Sequence, residues 1–146
     1  MHVARAEHEA TVLTDGTVLV SGGTFTPDPA DVYNASTRSF TAMSPMLQAR
    51  GRHRAILLLN PIWGSLQGKV LAIGGDVVSG TVFGGAQQAL DSVELYDPAT
   101  GQFSLFGTMT TARQNHTATL LNDGRILIAG GVGRPYVSGT AKLVVP

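Results

Sequence analysis

The feature that most constrains this chain is one motif written three times in a single register. Arg5, Arg50 and Arg113 are each followed three residues later by a histidine, His8, His53 and His116, and each histidine five later by Leu13, Leu58 and Leu121. Every unit then runs through apolar residues (Val18-Leu19-Val20, Val70-Leu71-Ala72-Ile73, Ile126-Leu127-Ile128-Ala129) into a glycine pair: Gly22-Gly23, Gly74-Gly75 and Gly130-Gly131. Tyr33 and Tyr96 follow, with Phe40 and Phe103 seven residues beyond them and Met46 and Met109 six beyond those. Such self-similarity marks an array of supersecondary units, each of which buries its faces against its neighbours.

The raw periods are unequal, 45 residues from Arg5 to Arg50 and 63 from Arg50 to Arg113, and the excess is confined to two places. From His to the first Gly takes 14 residues in the outer units and 21 in the middle one; from that Gly to Tyr takes 11 in the first unit and 22 in the second. Insertions of 7 and 11 residues therefore lie between strands, where surface loops tolerate length at small entropic cost.

Turn chemistry supplies the secondary structure. Asp15-Gly16 and Asp123-Gly124 separate apolar runs, so strands a and b of a unit are expected to form a hairpin through a two-residue loop with positive φ. Asp97-Pro98-Ala99-Thr100-Gly101 turns a third strand, ending near Tyr96, into a fourth around Phe103. No window of a dozen residues keeps a helical apolar spacing free of glycine or proline. The expected fold class is all-β, and the 18 glycines among 146 residues fit many tight turns between short strands. With 43% hydrophobic and 14% charged residues, disorder is excluded.

The register Arg-x-x-His, apolar strand, Asp-Gly, apolar strand, Gly-Gly, then Glu94-Leu95-Tyr96-Asp97-Pro98, Thr100-Gly101 and an aromatic, resembles the kelch repeat over nearly the whole chain. The resemblance implies four-stranded antiparallel β-propeller blades: blade 1 over about 1–45, blade 2 over about 46–108, and blade 3 over 109–146 without its last strand. That makes eleven expected strands in one partial domain. Phe40 and Phe103 stand where better-known members carry Trp. Kelch propellers close with five to seven blades, so the resemblance also implies that further residues or further copies complete the ring; a homo-oligomer or a longer chain is expected.

Function is less legible. Ten basic and ten acidic residues balance, which removes the general attraction shown by nucleic-acid and anionic-membrane binders, and no partner of either kind is expected. Without cysteine there is no disulfide framework, thiolate metal site or cysteine nucleophile, nor the tyrosine–cysteine cross-link of galactose oxidase-like copper enzymes, so no cofactor is expected. Nucleophile elbows, zincin motifs and phosphate loops are absent too. Compartment stays open, with the resemblance implying a soluble, secreted or cell-surface protein.

The expected role is a non-catalytic binding or scaffold module for a protein or carbohydrate ligand; the alternative is a propeller portion of a larger carbohydrate-active or oxidase enzyme. Binding candidates are Arg50, Arg52 and Arg54 in a locally basic stretch, Arg113, and the loop aromatics Trp63 and Phe83. Against a ligand role, the repeated arginines are expected to pair with acids of an adjacent blade, Glu94 being one. Equivalent histidines would form a metal triad only if they met on the propeller axis, so His8, His53 and His116 are expected to hydrogen-bond a neighbouring blade's backbone. Trp63 and Phe83 either anchor a ligand or fold back over the blade edge.

Overall fold

The computed structural model describes residues 1–23, 28–79, 86–133 and 140–144, and these form antiparallel sheets. The first sheet is a meander of β1 (Glu9–Val12), β2 (Val18–Ser21), β3 (Pro29–Asn34) and β4 (Ser39–Pro45). In the second, β5 (Arg54–Leu57), β6 (Val70–Ile73), β9 (Ser92–Asp97) and β10 (Gln102–Thr108) pair in that order, and β7 (Asp76–Ser79) and β8 (Ala86–Ala89) make a separate hairpin between β6 and β9. The third comprises β11 (Thr117–Leu120), β12 (Ile126–Ala129) and β13 (Ala141–Val144). These are three propeller blades, the third with three strands among the described residues.

Blade 2 is a sheet sandwiched between blades 1 and 3, so its central strands are apolar on both faces. β6 is buried at all four positions: Val70 and Ala72 face blade 1 with Tyr96 and Phe103, while Leu71 and Ile73 face blade 3 with Val93 and Leu95. Leu13, Leu19 and Ala30 complete the first interface, and Ile126 and Ile128 the second. β10 carries a bulge between Leu105 and Gly107 that leaves Phe106 unpaired and packs it against the blade 2–3 core, its ring centroid 6.4 Å from that of Trp63.

Two expectations need correction. The Asp-Gly hairpins do not use two-residue loops: Gly16 N–H donates to Leu13 O (3.0 Å), Leu13 N–H donates to Thr17 O (2.8 Å), and only Gly16 of the Asp-Gly pair has positive φ, 82°. This is a three-residue loop ending in a left-handed glycine, repeated at Leu121–Arg125, and Asp15 instead caps the turn by accepting from Thr17 N–H and Oγ. Strands number thirteen among the described residues, against eleven expected, because the 11-residue insertion pairs with itself as β7–β8. The 7-residue insertion becomes a short 3₁₀ segment, Pro61–Leu66, kinked at Gly64.

Candidate functional site: the axial mouth of the blades

The repeated residues build the framework. Arg50 is fully buried, donating to Gly74 O (2.8 Å), Ser92 O and Ser92 Oγ and pairing with Glu94. Arg5 does the same with Gly22 O, Pro29 O and Asp31. The acid partner thus comes from strand c of the same blade, two residues before Tyr33 or Tyr96, and not from an adjacent blade as expected. Arg113 repeats the backbone bonds to Gly130 O and Thr140 O, but Lys142 stands where Glu94 and Asp31 stand in the other units. Arg50 and Arg113 are closed in by the protein's own carbonyls.

The glycine pair separates two duties. A Cβ on Gly22 would lie 2.5 Å from Arg50 O and 2.6 Å from the His53 ring, and one on Gly74 would lie 2.6 Å from Arg113 O and 3.0 Å from the His116 ring. The first glycine is therefore pressed by the next blade. The second meets its own strand a: Gly23 against His8, Gly131 against His116. Both adopt positive φ, so glycine is required twice over.

The histidines differ from one another and from expectation. His53 Nε2 lies 3.3 Å from Ser21 Oγ of the preceding blade, a side-chain and not a backbone partner, and Ile73 occupies the Ser21 position in front of His116, whose ring nitrogens have no hydrogen-bond partner among the described residues. Burial, reinforced by Arg50, pushes His53 down to about 3; burial, reinforced by Arg113, pushes His116 down to about 4. Both are neutral near pH 7. His8 is exposed. Among the described residues no cluster of three His, Cys, Asp or Glu could hold a metal.

Between each repeated Arg and His lies a position at which the sequence reading singled out only Arg52. Glu7, Arg52 and Asn115 are equivalent in the three units, and all three are left-handed, with φ of 60°, 52° and 53°. Such backbone is uncommon for non-glycine residues, and strain of this kind collects at functional surfaces. The three are also linked directly: Arg52 N–H donates to Glu7 O (3.0 Å) and Asn115 N–H to Arg52 O (3.2 Å). The first strands of successive blades, β1, β5 and β11, pack on one another, so these residues, just ahead of those strands, lie along the inner edge of the array, the axial mouth. Arg52 bridges it, reaching Glu7 (2.9 Å), Asp76 (3.1 Å) and Gln114 (3.0 Å). Burial raises the Asp76 carboxyl above its usual range despite Arg52, and Asp76 opens the β7–β8 hairpin, pairing with Gly51 through two 2.9 Å backbone bonds. Glu9 and Arg54 add a further interblade pair at 2.6 Å.

The basic stretch is thus neutralised residue by residue, by Glu94, by Glu7 with Asp76, and by Glu9. Arg52 and Arg54 reach the surface; Arg50 and Arg113 do not. Trp63 is 3% exposed, donates from Nε1 to Gly124 O (2.8 Å), and roofs the blade 2–3 interface instead of standing free on its loop. Its neighbour Ile62 stays exposed. Phe83, with Val82, lies outside the described residues. Glu7, Gln114 and Asn115 were not among the sequence candidates; the offset from Arg and His that Glu7 and Asn115 share with Arg52 was the available signal.

Comparison with known proteins agrees with this architecture. Residues 64–110 match the family model for the kelch motif. Among solved structures, that of YjhT superposes with a TM-score of 0.70 at 17% sequence identity, covering 92% of this chain and 36% of the other. The chain therefore spans little more than a third of that protein's length. No curated protein matches significantly. Among the described residues no helix is long and apolar enough to cross a membrane.

Proposed function

We propose, for a chain built of kelch-type propeller blades, that it is a non-catalytic binding module whose contact surface is the axial mouth and the adjoining β7–β8 hairpin. One observation carries this reading. A backbone site of constant, strained geometry presents Glu7, Arg52 and Asn115 in turn, so an invariant scaffold displays divergent polar side chains on one rim. Preorganised side chains lose little freedom on binding, which favours recognition of polar ligands such as a protein loop or a carbohydrate. Nucleic acid and membrane surfaces fit poorly, because the rim's cations are already paired with acids.

Glycan and peptide arrays probed with the protein and with Arg52→Ala and Asp76→Asn test the proposal. The expected result is a ligand lost by at least about tenfold in affinity in both variants. Ligands bound equally well by all three proteins would overturn it. The second reading, a portion of a larger carbohydrate-active or oxidase enzyme with its catalytic residues outside this chain, draws on the partial coverage of YjhT. Sugar oxidation or glycoside hydrolysis by the full gene product, abolished by substitutions outside these residues, would favour it.

A further inference from the structure

In blades 1 and 2 the acid of the third strand is satisfied in one way. Glu94 accepts from Leu47 N–H (2.8 Å) and Gln48 N–H (3.1 Å) of the segment leading into blade 2, and pairs with Arg50. Asp31 accepts from His2 N–H (3.2 Å) of the segment leading into blade 1, and from Arg5 (3.0 Å). His2 and Leu47 each stand three residues before the repeated Arg, so both blades seat a carboxylate on leading-segment N–H groups and a guanidinium. None of these donors belongs to a fourth strand.

Blade 3 keeps the donors and lacks the acceptor. Thr110 and Thr111 hold the Leu47 and Gln48 positions, and among the described residues neither N–H has an acceptor. Arg113 is buried and bonds Gly130 O (2.8 Å), Thr140 O (3.1 Å) and Thr140 Oγ (3.0 Å), which leaves its Nη2 without the second acceptor that Glu94 gives Arg50. Lys142, opposite Ile128 as Glu94 is opposite Ala72, brings a second cation in place of the carboxylate. Neither cation has an ion pair among the described residues. Like charges and unpaired N–H groups gathered at one place are unfavourable, and an anion relieves both at once. We infer that blade 3 carries an anion site, formed by Thr110 N–H, Thr111 N–H, the Arg113 guanidinium and the Lys142 ammonium, that takes the carboxylate of a small organic acid. The class of ligand follows from the repeat, since both counterparts of the site hold a carboxylate. Thr110 is exposed, so solvent reaches the site from the side of the leading segment. This site is independent of the axial mouth.

Acetate is the probe, exchanged stepwise for chloride at pH 7.5 and constant ionic strength, with phosphate as a parallel series. The midpoint of thermal unfolding is expected to rise saturably with acetate, by about 3 °C at ten times its dissociation constant, and the amide resonances of Thr110 and Thr111 to move with it. Lys142→Glu supplies the missing carboxylate from the third strand itself. That variant should unfold at a higher temperature than the unaltered protein in chloride and should no longer respond to acetate. Lys142→Met, which removes one cation and leaves the N–H groups, should keep the response with affinity at least about threefold lower. An acetate effect of equal size in the unaltered and Lys142→Glu proteins would overturn the inference, as would resonance shifts confined to other residues or no response at all. Tighter binding of phosphate than of acetate would overturn the carboxylate as the ligand.

Discussion

At the scale of single residues, the first glycine of each pair measures whether a blade has a successor packed on it. Gly22 and Gly74 are each pressed by the following Arg carbonyl and His ring, whereas a Cβ on Gly130 would meet nothing within 4 Å, although its φ of 69° is as left-handed as theirs. Gly22→Ala and Gly74→Ala should each cost about 2–4 kcal/mol, left-handed strain plus overpacking, and Gly130→Ala only about 1 kcal/mol from strain alone. Urea midpoints of the three variants check the order. Equal losses would mean that the His–Gly contact contributes nothing. The histidines themselves make stability pH-dependent. Their folded values, about 3 for His53 and about 4 for His116, lie below the ordinary 6.5, so between those limits the unfolded chain binds more protons. Stability is then fully present above about pH 6.5 and declines as pH falls toward 4, by up to about 1.4 kcal/mol per pH unit for each histidine. Denaturation at pH 7.5 and pH 5 should show the loss, and His53→Gln should flatten the slope even where it lowers stability overall.

At the scale of strands, the same aromatic pair has different weight in different blades. Tyr96 and Phe103, centroids 5.0 Å apart, are sealed between blades 1 and 2; Tyr33 and Phe40, 4.9 Å apart in the same tilted geometry, are only half-buried on the other face of blade 1. Phe103→Ala should cost about 3–5 kcal/mol, and Phe40→Ala roughly 1–2 kcal/mol. The sole tryptophan reports on both, since Trp63 is buried at the blade 2–3 interface and its emission should shift to the red on unfolding. A Phe103→Ala midpoint equal to that of the unaltered protein would remove the interblade role of that strand. The inserted 3₁₀ segment is a strap as well as a loop: Asn60 donates to Asn122 O (3.2 Å) and Ile62 covers the Gly124 turn of blade 3.

At the scale of the whole molecule, the blades form an arc whose two outer faces carry complementary halves of one contact. Blade 3 offers an unfilled Gly130, and blade 1 offers an exposed His8 beside Arg5. Elsewhere in the molecule those halves meet as His53 on Gly22 and His116 on Gly74. We propose that further blades, from other copies of this chain or from a longer polypeptide, close the arc, since unpaired blade faces expose apolar surface such as Val12. Light scattering on the 146-residue chain should give a mass above 15.2 kDa. A stable monomer would show that the open faces need no partner.

What the sequence determined on its own was periodic and local. Blade number, the hairpins and the burial of Phe103 and Tyr96 all follow from a register in which the same residue types return at the same offsets, because each blade meets the same neighbour in the same way. Even the two insertions were locatable, since a repeat makes any excess visible. Tertiary structure decided the rest. Whether an arginine faces solvent or carbonyls depends on which strand lies across from it, and that made Arg50 a framework residue and Arg52, two positions on, the centre of the rim. Trp63 was decided by a carbonyl in the next blade, 61 residues away in the chain. The left-handed Glu7, Arg52 and Asn115 are joined by backbone bonds from one blade to the next, contacts that exist only in the assembled array.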